Sequence, residues 1–569
     1  MEHKALTTPY AEKMNREIPL SDYPRPSMRR ESYLCLNGEW DFAISDNVSA
    51  DAYNEKILVP FPPESHLSGV EREIPDGHRM YYRRTFKLPS GFIHGRVLLH
   101  FGAVDTICDV SVNGQTVAHH EGGYLPFYAD ITDALRDENE LRVTVRDDLD
   151  TAYPYGKQTK NRGGMWYTPV SGIWQTVWLE SVPNVYVKGL KITPSCDSVK
   201  IEVIGGAENK KLTLDESGEV YEFSGSEITV NMQGCECWSP ENPRLYTFKL
   251  ECGEDRLYSY FALREVSVRE VDGIARLCLN GKPYLFNGLL DQGYFPDGLF
   301  LPATYDGYRD DILLAKSLGF NMLRKHIKIE PEIFYYLCDK LGMAVFQDMV
   351  NNSTYSFFID TALPTVGFKK LPSFNRHSSK KSRRIFEEQM YGTQEHLHNF
   401  PSVVYYTIFN EGWGQFSADE MYRKAKAKDS TRIYDATSGW FIKRESDVDS
   451  RHVYFKPVRL GKRGSRPIVI SEFGGYSHRV TGHLYGDENY GYKSFDTMAD
   501  FEDAFCRLYT EEIEPLVSKG ISALVYTQVS DVEDETNGVV TYDRRVCKLN
   551  RERVSAMMKR ICEKLGGLL

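Results

Sequence analysis

Two glutamates stand at the ends of apolar runs and are followed at once by residues that favour a loop. Glu411 closes "VVYYTIFNE" before Gly-Trp-Gly, and Glu472 closes "PIVISE" before Phe-Gly-Gly. Two facing carboxyls can hydrolyse a glycoside, because one protonates the leaving oxygen while the other attacks the anomeric carbon; a separation of about 5–5.5 Å suits a retaining mechanism. Each glutamate could instead cap a helix or form a surface ion pair, but the occurrence of both after apolar strands favours chemistry.

The two roles require different affinities for a proton. We expect burial against an aromatic ring such as Trp413 to favour the protonated form of Glu411. We expect hydrogen bonds and nearby cations to keep Glu472 ionised. The pair is therefore predicted to act as a general acid and a nucleophile, provided that the fold brings the two carboxyls together.

The elements that could bring them together alternate between strand and helix from about residue 270. Helical segments such as "YRDDILLAKSLG" and "PEIFYYLCDKLG" end in glycine, a common helix C-cap. Eight strands with intervening helices predict a parallel (β/α)8 TIM barrel, whose active sites lie at the C-terminal strand ends. The segment 350–384 is predicted to be an enlarged loop on that face. The eight candidate strands are "YLFNGLL", "NMLRKH", "MAVFQDM", "VVYYTIFNE", "RIYDATS", "RHVYF", "PIVISEF" and "ISALVYTQV".

The chain before residue 270 reads as β-structure throughout. Short alternating runs such as "RVLLHFGAV" and "NELRVTVRD", separated by turns such as Asn113-Gly114, predict a β-sandwich over residues 1–182. A second set of strands over residues 183–269 suits a small immunoglobulin-like sandwich. We therefore predict three domains: 1–182, 183–269 and a barrel over 270–569.

Composition limits the classes of partner. With 569 residues, 41% hydrophobic and 26% charged, the chain is typical of a soluble multidomain protein. Its net charge of −11 argues against nucleic-acid binding, and no run approaches the roughly 18 apolar residues that span a membrane. The N-terminus has no signal-peptide h-region, and eleven scattered cysteines suit reduced thiols, so we expect a cytoplasmic protein. The 36 tyrosines and 29 phenylalanines suit sandwich cores and sugar sites.

Several motifs, in order along nearly the whole chain, resemble glycoside hydrolase family 2, which contains β-galactosidases, β-glucuronidases and β-mannosidases. The resemblance implies an N-terminal jelly-roll β-sandwich, an immunoglobulin-like sandwich and a catalytic TIM barrel. The segments that carry it are "YPRPSMRRESYLCLNGEWDFAI", "GGYLPFYADIT", "GGMWYTPVSGIWQTVWLE", "WSPENPRLYTF" and "GFNMLRKHIKIEPEIFYYLCDKLGMAVFQDM".

The resemblance also implies roles for single residues. Glu411 of "FNEGW" would be the general acid/base, and Glu472 of "SEFGG" the nucleophile that forms a covalent glycosyl-enzyme. Asn410 would hydrogen-bond the 2-hydroxyl of the sugar. Tyr454 of "HVYF" resembles the tyrosine that contacts the nucleophile, with core packing as the alternative. Arg324 of "NMLRKH" would lie near the nucleophile and help to keep it ionised.

Other polar residues at strand ends are weaker candidates. His326 could contact the sugar or be a satisfied barrel histidine. Asp291 of "LLDQGY" and the pair Gln347-Asp348 of "VFQDM" could each bind a hydroxyl or only orient a loop. We expect a binding role for both aspartates.

Two positions depart from the family pattern. Where strand eight usually carries a tryptophan that floors the sugar pocket, "LVYTQVSD" has Tyr526. Where glucuronidases carry a lysine that holds the sugar carboxylate, "EDETNGVV" has Asn537, preceded by Asp534 and Glu535. Because those acids would repel a uronate, a neutral sugar is favoured and "NGVVTYDR" resembles the galactosidase version.

The sequence therefore predicts a retaining exo-β-glycosidase, foremost a β-galactosidase, that acts on carbohydrate without a cofactor. β-Glucuronidase and β-mannosidase are the alternatives within the family, and a non-catalytic carbohydrate-binding protein is the alternative from another class. No metal site is predicted, because Glu395, His396 and His398 of "EHLHNF" would lie on different faces of a helix. Association into a homo-oligomer stays open.

Overall fold

The structure, a computed structural model, contains two β-sandwiches followed by a barrel. Most of segment 350–384, predicted above to be an enlarged loop, lies outside the described residues. Among the helices that are described, none has both the length and the apolar composition needed to cross a membrane. The described residues are 6–47, 52–356, 358, 360, 363, 379–441, 444–460 and 464–566.

The first sandwich packs a four-stranded sheet on a six-stranded sheet, both antiparallel. Alternate side chains of Asn139–Arg146 are buried, as the "NELRVTVR" pattern predicts, because successive side chains of a strand point to opposite faces. The smaller sheet contains, in spatial order, Leu34–Cys35, Val177–Val182, Arg96–Phe101 and Phe127–Asp130. The larger contains Glu55–Val59, Gly38–Ser45, Arg79–Phe86, Asn139–Arg146, Ile107–Val112 and Gln115–Glu121. A short pair joins Val104–Asp105 to Gly172–Ile173.

The second sandwich is smaller, and its domain limits, like those of the first, stay a prediction. A hairpin of Val266–Val271 and Ile274–Leu279 follows it and closes the lower end of the barrel, where Leu277 and Leu279 join the apolar interior. One sheet of the sandwich contains Val187–Pro194, Ser198–Gly205 and Glu227–Asn231. The other contains Val220–Ser224, Asn209–Leu214, Tyr246–Cys252 and Asp255–Phe261.

All eight predicted barrel strands are present, and the paired neighbours are parallel. They are β1 Phe286–Asp291, β2 Met322–Lys325, β3 Ala344–Asp348, β4 Val403–Asn410, β5 Ile433–Ser438, β6 Asp449–Val453, β7 Ile468–Gly474 and β8 Ile521–Thr527. The helices are α1 Asp306–Ser317, α2 Glu332–Leu341, α3 Lys380–Leu397, α4 Ala418–Lys428, α5 Met498–Arg507, α6 Glu514–Val517 and α7 Arg551–Gly566, with a π-helical turn at Leu508–Ile513. As predicted from its terminal glycine, α2 ends at a left-handed Gly342.

The barrel ladder runs from β5 through β1 and β8 to β6 and has one seam. Over the part of the chain that the structure describes, no backbone ladder joins β5 to β6. Ser450 of β6 bridges them instead: its hydroxyl donates to the Thr437 carbonyl at 3.4 Å and accepts from the Gly439 N–H at 3.4 Å.

A buried arginine connects the second sandwich to the lower end of the barrel. The guanidinium of Arg264, 2% exposed, donates to the carbonyls of Pro401, Thr431 and Val403 at 3.1, 3.0 and 3.3 Å. Because those carbonyls are buried, loss of the guanidinium would leave them without these donors.

We expect Arg264→Met to lower the stability of the barrel by about 3 kcal/mol, and its melting temperature by roughly 5 °C. Scanning calorimetry of the full chain measures this. Arg256→Met is the matched control, because that side chain is 69% exposed. Equal melting temperatures for the two variants would contradict a structural role for Arg264.

Candidate active site

The barrel mouth, formed by the C-terminal ends of β1 to β8, brings the two glutamates together. Glu472 lies within β7, and Glu411 directly follows β4 in a left-handed conformation (φ 54°) held by its N–H bond to the Ser438 carbonyl at 2.9 Å. One carboxylate oxygen of each lies within 4.8 Å of the other. This separation suits the two carboxyls of a retaining glycosidase.

Arg324 of β2 is the hub of the site. Its guanidinium, 1% exposed, donates to Glu472 Oε1 at 3.0 Å and to Asn410 Oδ1 at 2.9 Å. Its Nε donates to both oxygens of Asp348, at 3.0 and 3.1 Å. One planar fork therefore sets the positions of side chains from β3, β4 and β7.

The surroundings of Glu472 favour its ionised form. Burial alone would raise the pKa of this carboxyl, but the charges of His452 and Arg324 and a hydrogen bond from the Tyr454 hydroxyl outweigh that effect and lower the pKa below its ordinary value. The predicted cation near Glu472 is thus Arg324, and His452 is a further group that lowers the pKa of Glu472.

Asn410 and Tyr454 lie where the resemblance implied. Asn410 Oδ1 accepts from Arg324, so its Nδ2 is the group of this amide that can donate to another partner. The Tyr454 hydroxyl donates to Glu472 Oε2 and lies 3.1 Å from Thr527 Oγ1, and its ring stacks on Tyr492 at a centroid distance of 3.8 Å. Burial, followed by the charge of Glu472, raises the pKa of Tyr454, so the hydroxyl keeps its proton.

His452 of β6 belongs to the site and was not predicted. Its Nδ1 lies 2.8 Å from Glu411 Oε1 and 3.5 Å from Glu472 Oε2, and its Nε2 lies 3.0 Å from Ser438 Oγ. The signal was present in "RHVYF": in a strand, residues two apart share a face, so a histidine two residues before Tyr454 points to the same pocket.

His326 and Asp348 form a pair beneath the pocket. His326 Nδ1 lies 2.7 Å from Asp348 Oδ2, and burial lowers the pKa of His326, which favours its neutral form. Gln347 is used internally, because its amide bonds to Tyr335 and to the Lys328 carbonyl. Asp348 therefore orients Arg324 and His326.

Asp291, for which we predicted a binding role, is engaged in contacts within the protein. Its Oδ2 accepts from Lys325 Nζ at 2.6 Å, and its Oδ1 accepts from the Gly293 N–H at 2.9 Å. Lys325 also binds Glu330 at 2.8 Å, with both side chains fully buried. Asp291 therefore belongs to a buried ion-pair cluster that supports the end of β1.

Trp413 contributes to the wall of the mouth. Its indole donates to the Ser353 carbonyl at 3.1 Å and packs edge-on against Trp166 and Tyr155 of the first sandwich, at centroid distances of 5.2 and 5.4 Å. Glu411 keeps 15% of its side chain exposed and takes His452 as its hydrogen-bond partner. The group that contacts the Glu411 carboxylate is therefore an imidazole, where we expected an indole.

The predicted sugar contacts of Tyr526 and Asn537 are also wrong. The ring of Tyr526 is fully buried against Phe505 and Phe473 on the helix-facing side of β8, so it cannot floor the pocket. Asn537 is fully buried; its Oδ1 accepts from Gln528 at 2.7 Å and its Nδ2 donates to a neighbouring acid at 2.9 Å. Thr527 occupies the inward position that we assigned to Tyr526.

The acids near Asn537 contact the first sandwich. Glu535 accepts from the Tyr167 hydroxyl, and Glu533 Oε1 accepts from the Thr168 N–H at 2.9 Å. Burial raises the pKa of Glu535, and it raises the pKa of Glu533 to about 7. These contacts weaken the prediction that this loop repels a uronate, because buried acids with raised pKa values carry less negative charge.

Lys157 of the first sandwich lies near enough to the mouth for its charge to act on His326 and Glu535. The Gly156 backbone approaches the segment after β2 so closely that a Cβ there would lie 2.7 Å from the Ile327 carbonyl oxygen. Lys157 Nζ lies 5.6 Å from the ring centre of Trp166. Among the acids that the structure describes, none is within 4.0 Å of this ammonium. Sequence reasoning missed Lys157 because its placement depends on how two domains dock.

We assign no metal ion or cofactor to these residues. Glu411, His452 and Glu472 are close enough to hold a cation, but Glu472 already accepts from Arg324 and Tyr454. Glu395, His396 and His398, which the sequence analysis considered as metal ligands, each have a different partner. Glu395 pairs with Lys428, His396 lies 3.8 Å from Glu332, and His398 lies 3.6 Å from Asp429.

Comparison with known proteins gives the same architecture. The β-galactosidase of Priestia megaterium is 23% identical over 566 residues, a match that covers 87% of this chain but 52% of that protein. The β-glucuronidase of Pongo abelii is 25% identical over 478 residues and covers 72% of this chain and 69% of that protein. A β-glucuronidase structure from an uncultured Clostridium sp. superposes with a TM-score of 0.73 at 18% identity, covering 94% of this chain and 98% of that one.

The chain thus spans about half the length of the bacterial β-galactosidases that it matches. Two family models match directly. The model described as "Glycosyl hydrolase 2 galactose-binding domain-like" matches residues 66–173, within the first sandwich. The model described as "Glycosyl hydrolases family 2, TIM barrel domain" matches residues 270–546, which contain all eight barrel strands and both glutamates. The chain therefore belongs to glycoside hydrolase family 2.

Proposed function

We propose that this chain is a retaining exo-β-glycosidase in which Glu472 is the nucleophile and Glu411 the general acid/base. The observation that carries the proposal is the pair of carboxylate oxygens within 4.8 Å, held in unequal surroundings. Glu472 is bound by a guanidinium and a phenol, whereas Glu411 is partly exposed and bound by an imidazole. Cytoplasmic location and self-association stay predictions.

The proposed reaction has two displacements. In the first, a Glu472 oxygen bonds the anomeric carbon while the glycosidic bond breaks and its oxygen takes a proton from Glu411. In the second, Glu411 removes a proton from water, the water oxygen bonds the anomeric carbon, and the ester to Glu472 breaks. Arg324 and Tyr454 stabilise the carboxylate as it leaves, and Asn410 Nδ2 is directed to the sugar hydroxyl beside the reacting carbon.

For the sugar itself we propose a β-galactoside first. Bacterial relatives of this chain are named β-galactosidases, and the loop after β8 has Asn537 where glucuronidases have a lysine. A β-hexuronide is the second candidate, because the ammonium of Lys157, from the first sandwich, lies over the Trp166 ring and near His326 and Glu535. A carboxylate on the sugar would give this cation a partner.

We expect Glu472→Ala and Glu411→Ala to lower kcat on a methyl glycoside by at least about 1,000-fold without altering the melting temperature. In the wild type, a 2-deoxy-2-fluoro glycosyl fluoride should label one site, located by peptide mass spectrometry on Glu472. Glu395→Gln, on the surface of α3, is the control and should keep normal rates. Reversible binding without labelling would favour a carbohydrate-binding protein.

The labelling rate should fall at low pH, and the pH of this fall, the acid limb, should depend on Arg324. Because the pKa of Glu472 is lowered, its ionised form persists below the ordinary carboxyl range and is lost only as pH falls through the lowered value. Arg324→Met removes one of the charges that lower this pKa, so the acid limb should move to higher pH.

The measurement is the rate of inactivation by the fluorosugar between pH 3 and 7, with Arg423→Met, an exposed arginine, as control. Arg324→Lys keeps the charge without the fork and should lie between the wild type and Arg324→Met. An acid limb at the same pH in all four proteins would contradict this role.

Lys157→Met distinguishes the two candidate sugars. If the substrate is a hexuronide, we expect kcat/KM for aryl β-glucuronide or β-galacturonide to fall about 10- to 100-fold, because a charge-assisted hydrogen bond is lost. Rates on aryl β-galactoside should stay within about threefold. Lys160→Met is the control, since that ammonium bonds the Ile74 carbonyl at 3.1 Å. Unchanged uronide rates would remove the second candidate.

A further inference from the structure

We infer that His452 is a positioning residue that shares one proton with Glu411 and thereby supplies the general acid/base. The inference rests on the proposed retaining mechanism and adds a third titratable group to it. Glu411 Oε1 and His452 Nδ1 are 2.8 Å apart, a distance across which a proton can be held by either atom.

The imidazole is locked in place by the end of β5. Its side chain is fully buried, and Ser438 Oγ holds Nε2 at 3.0 Å. Gly439, with φ of +91°, lies so close that a Cβ there would be 2.7 Å from the ring, and Trp440 packs edge-on at a centroid distance of 5.3 Å. Nδ1 therefore has a fixed direction, towards the two carboxyls.

The charges around the ring assign its partner. Among the residues that the structure describes, the titratable groups that contact Nδ1 are Glu411 at the end of β4 and Glu472 of β7. The end of β5 contributes the Ser438 hydroxyl, and the segment after it contributes the Trp440 indole. Glu472 already accepts from Arg324 and Tyr454, and its distance to Nδ1 is the longer one, 3.5 Å. Glu411 is thus the carboxyl that shares a proton with His452.

The proton balance follows from the two displacements. The pair holds one proton between Glu411 Oε1 and His452 Nδ1. When the glycosidic bond breaks, that proton passes through Glu411 to the leaving oxygen, and the pair is left without it. When water attacks, Glu411 takes one proton from the water and again shares it with Nδ1. The pair therefore starts and ends each cycle with one proton, and one glycoside and one water are consumed.

A leaving-group series tests this role. A 2,4-dinitrophenyl leaving group departs without protonation, whereas a methyl or 4-methoxyphenyl group requires the general acid. We expect His452→Gln to lower kcat/KM about 100-fold on the poor leaving groups and less than about threefold on 2,4-dinitrophenyl glycoside.

Controls separate this role from a structural one. His396→Gln replaces a histidine of α3 that lies away from the mouth and should behave as the wild type on both substrates. His452→Gln should still be labelled stoichiometrically at Glu472 by the fluorosugar. Equal losses on both classes of substrate would overturn the inference. Failure of the wild type to hydrolyse or be labelled would instead overturn the proposed function.

Discussion

The buried guanidinium of Arg324 is the interaction on which the site depends. Two carboxyls within 4.8 Å would repel each other if both were ionised, so one must be held as an anion and the other left able to take a proton. Arg324 does the first by binding Glu472, and in the same plane it binds Asp348 and Asn410. Arg324 therefore fixes the geometry of these side chains and, together with His452 and Tyr454, lowers the pKa of Glu472.

The barrel and the first sandwich contribute different parts of the site. The barrel supplies the acids and their partners from β2, β3, β4, β6 and β7, because the C-terminal ends of parallel strands meet at one mouth. At the seam between β5 and β6, His452 contacts Ser438 and lies beside Glu411. The first sandwich closes one side of the mouth with Trp166, Tyr167 and Lys157. Side chains from two domains accordingly lie around the mouth.

Much of this could be predicted, because strands and their ends are local. Long apolar runs located all eight barrel strands, and their last residues placed Glu411, Glu472 and Arg324 at the mouth. The face of β8 was misjudged by one residue: Ala523 and Val525 join the barrel interior, so Thr527 points inward and Tyr526 outward. The roles of Asp291 and Lys157 depend on distant partners or on domain docking, which spacing in the sequence does not encode.

The central claim is that two carboxyls across one sugar give a double displacement. Proton NMR of the first sugar released from an aryl β-glycoside tests it directly, because the anomeric signals are resolved before mutarotation. The geometry of Glu411 and Glu472 predicts that the β-anomer appears first and the α-anomer follows slowly. Initial release of the α-anomer would show a single displacement by water and would contradict the account.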